Sequence, residues 1–108
     1  MLAPQFSRDT KGECHACLGE PYLVLESFLE SELRSELSFQ SFENWLNSAT
    51  NAKRDSVYGG DSHSLTLTSG EVLVEHDYQL HPPARVEIHE FKALLKAWHD
   101  YLALNSGS

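Results

Sequence analysis

The sequence predicts a small α+β domain with segregated helices and strands, on three observations. Apolar residues recur every three or four positions in the first half and again near the C-terminus. Between these segments the period drops to two, and β-branched residues gather between turn signals. With 108 residues, 41% of them apolar and 22% charged, the chain has the size of one globular domain. A chain of this length buries roughly two thirds of its unfolded surface, so a disulfide or structural metal is not required.

Residues 1–20 carry Pro4, Gly12 and Gly19 without sustained periodicity. They read as an irregular N-terminal arm before a domain spanning 21–104. Pro21 suits a first helical position, and Tyr22, Leu25, Phe28, Leu29 and Leu33 define an amphipathic helix over about 21–36. Ser38 reads as the N-cap of a second helix, with Leu37 and Phe42 at hydrophobic-staple positions. Its stripe is Phe39, Phe42, Trp45 and Leu46, and it should end near Asn47 to Asn51. After Lys53-Arg54 alternation begins.

Tyr58-Gly59-Gly60-Asp61 reads as a turn or bulge needing positive φ, followed by a strand that places His63, Leu65 and Leu67 on one face. Ser69-Gly70 closes a tight hairpin into Val72, Val74, His76 and Tyr78. The loop Gln79 to Pro83 leads to a third strand, where Val86 and Ile88 point one way and Arg85 and Glu87 the other. The expected sheet is therefore three-stranded and antiparallel. Phe91, Leu94, Leu95, Trp98 and Leu102 define a C-terminal helix of about 89–104 packed on it. Asn105-Ser106-Gly107 is its stop, and 105–108 a short tail.

Sixteen acidic residues against eight Lys and Arg give a formal charge of -8. That sign repels phosphate backbones and anionic lipid, which argues against direct nucleic-acid or membrane binding. The best apolar run, Tyr22 to Leu25, meets Glu26 at once and is far short of a bilayer span. The N-terminus lacks a basic segment followed by an apolar one, so the expected location is the cytoplasm.

Cys14-x-x-Cys17 has the spacing of half a zinc site or of a redox dithiol, but no second ligand pair accompanies it. Six histidines (15, 63, 76, 81, 89 and 99) are many for this length, yet they are spread along the chain. His63 and His76 fall on the inner face of neighbouring strands and can meet across the hairpin. No Gly-x-Ser-x-Gly, Ser-x-x-Lys, Walker loop, dinucleotide fingerprint or His-Glu-x-x-His is present. The expectation is a protein that is not an enzyme and uses no cofactor or metal. Two alternatives remain: a zinc-binding or redox-sensing adaptor built on Cys14 and Cys17, and a small enzyme using His63 or His76 with a nearby carboxylate in a concave pocket.

The acids are the most informative feature. Seven acids and one base, Arg34, lie between Glu13 and Asn51, and seven acids and one base, Arg85, between Asp55 and Glu90. On the first helix Glu26 and Glu30, and Glu32 and Glu36, repel at i,i+4, and only Glu30 with Arg34 is favourably placed. On the strands, the alternation that turns Val72, Val74, Val86 and Ile88 inward turns Glu71, Glu75, Asp77 and Glu87 outward around Leu73. Such a surface matches a basic partner, with Tyr58, Leu73 and Tyr78 as apolar anchors. The expected partner-binding residues are Tyr58, Asp61, Glu71, Leu73, Glu75, Asp77, Tyr78 and Glu87.

The run Val57-Tyr58-Gly59-Gly60, the strands Glu71 to Tyr78 and Val86-Glu87-Ile88, and the helix Phe91 to Trp98 together resemble small acidic immunity proteins of bacterial contact-dependent and polymorphic toxin systems. The resemblance covers residues 56–102 and rests on a strand leading into Phe-x-x-Leu-Leu-x-x-Trp. It implies a cytoplasmic, non-catalytic monomer that binds one cognate toxin domain, often a basic nuclease, in a 1:1 complex. The expected function is thus neutralisation of a toxin through an acidic surface, with the helix acids Glu26, Glu30, Glu32 and Glu36 as the second candidate surface.

Overall fold

The computed structural model describes residues 4–52 and 55–105. Two short strands come first, β1 (Gln5–Arg8) and β2 (Cys14–Cys17), followed by α1 (Leu23–Glu32) and α2 (Glu36–Ala52). Then come β3 (Ser56–Gly59), β4 (His63–Thr68), β5 (Glu71–His76) and β6 (Ala84–Glu87), and last α3 (Ile88–Asn105). The α+β class and the C-terminal helix on the sheet are as expected. The main sheet, however, is a four-stranded antiparallel meander in the order β3-β4-β5-β6, and β1-β2 form a separate hairpin.

The N-terminal segment is thus an ordered hairpin and not the expected irregular arm. Its strands pair with Phe6 opposite Ala16, and the pleat turns Cys14 and Ala16 into the core. Phe6 packs on α3, its ring 5.5 Å from Trp98 and 5.3 Å from Tyr101. Carboxylates of α1 hold the hairpin from the other side: Glu26 Oε2 accepts from the Leu18 and Gly19 N–H groups at 2.6 and 2.8 Å. Glu30 Oε2 accepts from Ala16 N–H at 2.9 Å. Glu26 and Glu30, which repel at i,i+4, are thus each compensated by main-chain donors of the preceding segment. Arg34 Nη1 donates to the Glu30 main-chain carbonyl at 2.9 Å rather than to its carboxylate.

Pro21 lies in a turn, and α1 begins two residues later at Leu23. It buries Val24, Leu25, Phe28 and Leu29 and stops at Glu32, where Trp98 Nε1 donates to the Leu33 carbonyl at 2.8 Å. The second helix is capped one turn earlier than the sequence suggests. Ser35, not Ser38, is its N-cap: Ser38 N–H donates to Ser35 Oγ and Ser35 N–H to Ser38 Oγ, a reciprocal capping box. Leu37 consequently points to solvent, 76% exposed, and is not a staple.

Phe42 of α2 is the hub of the core, with Phe28, Tyr58 and Phe91 at 5.2, 4.9 and 6.0 Å between ring centroids. It thereby joins both other helices to β3. Trp45 Nε1 donates to Ser56 Oγ at 3.0 Å, fixing the edge strand that the sequence reads as part of a turn. Ser69-Gly70 closes the tight hairpin the sequence predicts, with φ of 51° and 80°, the double positive φ of a type I′ turn, whereas the Tyr58 to Asp61 segment does not take the positive φ expected of it. The last strand ends at Glu87, so Ile88 is the first residue of α3 and not a strand residue. Lys53-Arg54 and residues 106–108, which mark the expected α-to-β switch and the tail, lie outside the described residues.

Candidate functional site

Strand alternation gives the main sheet two unlike faces. His63, Leu65 and Leu67 of β4, Val72, Val74 and His76 of β5, and Ala84 and Val86 of β6 are buried on one side. All three helices pack there. Among the described residues no helix lies on the opposite side. Its rows follow from the register: Val57, Thr66, Leu73 and Arg85 lie in line across the four strands. Gly59, Ser64 and Glu75 form a row on one flank, and Thr68, Glu71 and Glu87 on the other.

On this open face the apolar residues Val57 and Leu73 share a row with Thr66 between them. Val57 is 66% exposed and Leu73 half-buried, with Glu71 and Glu75 on either side of Leu73 along β5. At one end the loop 77–83 presents Tyr78 and Leu80, which are 74% and 70% exposed. Between that loop and the sheet lies a cleft of about 590 Å³ lined by Ser64, Glu75, Asp77 and His81 among others. Asp77 keeps one oxygen on Ser64 Oγ at 2.7 Å. Among the described residues Arg85 is the one base in these rows.

The expected residues are distributed as follows. Glu71, Leu73 and Glu75 lie on the open face, Asp77 and Tyr78 at its end. Glu87 faces Glu71 directly across the strands, but its carboxylate turns to the start of α3, where Oε2 accepts from His89 and Glu90 N–H at 3.0 and 3.1 Å. It is the cap of α3. Tyr58 belongs to the inner side, wedged against Phe42 and Trp45. Burial pushes its phenol above the ordinary value, and Glu32 and Asp61 act in the same direction. Asp61 is exposed in the β3–β4 turn, its N–H donating to Glu32 Oε1 at 2.9 Å. Val57 and Leu80, which the sequence reading did not select, complete the exposed apolar set. Alternation with Ser56 and Tyr58 marks Val57, but the adjacent Gly59-Gly60 masks it.

The other sequence candidates separate. Cys14 is buried and Cys17 exposed, three residues apart on one strand and so on opposite faces, where two thiols cannot converge on one ion. Among the described residues one group of ligating side chains comes together, Asp9, Glu13 and His15 at the β1–β2 turn. Both nitrogens of His15 are already taken, by Asp9 at 2.9 Å and Glu30 at 3.0 Å. Two carboxylates at one ring require the imidazolium, and these bonds, that to Asp9 foremost, raise its pKa.

His63 and His76 do meet across the hairpin, with ring centroids 4.8 Å apart. His63 is fully buried, its Nδ1 2.5 Å from Glu32 Oε2 and its Nε2 3.1 Å from Ser27 Oγ. Burial lowers its pKa against the opposing pull of Glu32. The nearby carboxylate comes from a helix 31 residues away, so no local motif announces it. No helix among the described residues is long and apolar enough to cross a membrane.

Comparison with protein-family models, with curated proteins and with solved structures finds no match for the chain.

Proposed function

We propose that the chain is an immunity-type inhibitor that binds one cognate toxin domain, a basic nuclease, and blocks it by occupying its nucleic-acid channel. The observation that carries this reading is the helix-free face of the main sheet. It holds Leu73 between Glu71 and Glu75 and Val57 in the same row across Thr66, with Asp77 and Tyr78 at its end. An acidic face with apolar anchors suits a basic channel. The carboxylates stand in for phosphates and speed the encounter, while the apolar residues slow dissociation. Inhibition is by binding, and it needs no cofactor.

The test is affinity capture on the purified chain, washed across a salt series, with retained proteins assayed for nuclease activity. A basic nuclease held near one to one, silent when bound and active when released, is the expected result. Retention that is unchanged when Glu71, Glu75 and Asp77 are all made Lys would overturn the assignment of this face. The zinc or redox alternative predicts stoichiometric zinc, or partner binding that changes when both cysteines become Ser.

A further inference from the structure

A polar relay behind the sheet takes no part in the partner face. Glu32 can only accept, so the ring proton of His63 sits on Nδ1, and the lone pair of Nε2 faces the Ser27 hydroxyl 3.1 Å away. The carboxylate is itself immobilised by the N–H groups of Asp61 and Ser62, at 2.9 and 3.2 Å. Besides Glu32 on α1, the groups that act on His63 are His76 and Asp77 from β5 and the turn after it. Burial holds the ring neutral near pH 7, the form that accepts a proton.

A hydroxyl, an imidazole base and an orienting carboxylate in this order are the parts used in acyl transfer, recognised by geometry and role. Ser27 stands on the wall of an open cleft of about 410 Å³ between α1 and the β1–β2 hairpin. Arg34 and His15 line the same cleft, Arg34 with Nη1 on the Glu30 carbonyl and His15 with both ring nitrogens held by Asp9 and Glu30. Glu13, Glu26 and Glu30 also line it and disfavour an anionic acyl group.

We propose that Ser27 is an activated nucleophile and that this cleft takes small neutral or cationic carboxylic esters. Ser27 Oγ bonds to the ester carbonyl carbon as its proton passes to His63 Nε2. The carbon–alkoxy bond then breaks, and Nε2 returns the proton to the departing alcohol. Water attacks the acyl-serine with His63 again as base, which releases the carboxylic acid and restores the hydroxyl. This activity stands apart from the partner reading, and either can fail without the other.

Ser31 provides an internal control. It lies one turn along the same helix and lines the same cleft, but its hydroxyl donates to the Ser27 carbonyl at 2.7 Å and meets no imidazole. The experiment treats the intact chain with a fluorophosphonate probe and maps adducts by mass spectrometry. In that reaction an Oγ–P bond forms, the P–F bond breaks and fluoride leaves. Ser27 should be labelled on the order of 100-fold faster than Ser31, the low end of what a positioned base supplies. Labelling should fall as pH drops through the lowered His63 pKa, and Ser27→Ala should abolish hydrolysis of p-nitrophenyl acetate. Equal labelling of Ser27 and Ser31, or none at Ser27, in protein shown folded by near-UV circular dichroism overturns the proposal. His63→Gln should remove Ser27 labelling, and if that variant does not fold, the wild-type pH profile and Ser31 comparison still decide.

Discussion

Glu32 is where the polar interior converges: one buried carboxylate serves His63 and the N–H groups of Asp61 and Ser62. Gly60 makes that possible, because a Cβ there would lie 1.8 Å from Glu32 Oε1. Gly60→Ala should therefore cost about 1–3 kcal/mol, the usual penalty of overpacking, read from urea denaturation. Two histidines set opposite pH dependences. The raised folded pKa of His15, from Asp9 and then Glu30, means that its contribution is complete below about pH 6.5 and is lost as pH rises through the folded value. For His63 the folded pKa is lowered by burial, so its contribution is complete above about pH 6.5 and is lost as pH falls toward the folded value. Urea midpoints of wild type and His15→Gln, measured from about pH 5 to about pH 9, should converge at the alkaline end. A difference that grows with pH would contradict the imidazolium assignment.

Among the elements, the β1–β2 hairpin is held by side chains rather than by the main sheet. Glu26 is the acceptor for two adjacent N–H groups, and Glu26→Ala should strip hydrogen-exchange protection from Leu18 and Gly19 while β4 and β5 keep theirs. Ser35→Ala removes the cap of α2 and should cost about 1 kcal/mol, whereas Leu37→Ala, at an exposed position, should cost little. These details separate what local sequence specifies from what it does not. The helices, the Ser69-Gly70 hairpin and the alternation of β5 are written in short-range periodicity, and they stand close to where the sequence places them. The hairpin β1–β2 was not legible, because four-residue strands carry too few alternations and their docking partners are helix carboxylates elsewhere in the chain. The outward set Glu71, Leu73 and Glu75 was legible for the same reason as β5 itself. The inward turn of Tyr58 and the capping role of Glu87 were not, since both depend on where a strand stops and what packs beside it.

For the molecule as a whole, the sixteen acids do not form one uniform field. Glu26, Glu30 and Glu32 accept hydrogen bonds within the fold, Glu36 pairs with His99 at 2.8 Å, and Glu87 caps α3. Glu71 and Glu75 stand exposed on the one sheet face without a helix, with Asp77 at its end. These three are the acids of the proposed partner face, while other exposed acids such as Glu43 and Asp100 lie on the helices, so altering the three tests that face alone. Reversing Glu71, Glu75 and Asp77 to Lys changes the charge of the face by six units while leaving every helix-bound carboxylate in place. Association with a basic nuclease should slow by about 10- to 1,000-fold at low salt, the range that steering supplies, and the deficit should shrink as salt is raised. Glu87 is left out of that set because its reversal would uncap α3 and confound binding with stability. Leu73→Ala tests the other half of the surface: it should raise the dissociation rate with little effect on association, since an apolar anchor acts after encounter. Stopped-flow association across a salt series, with dissociation by competition, distinguishes the two. Equal effects of both variants on both rates would mean that the face is not divided into steering acids and apolar anchors.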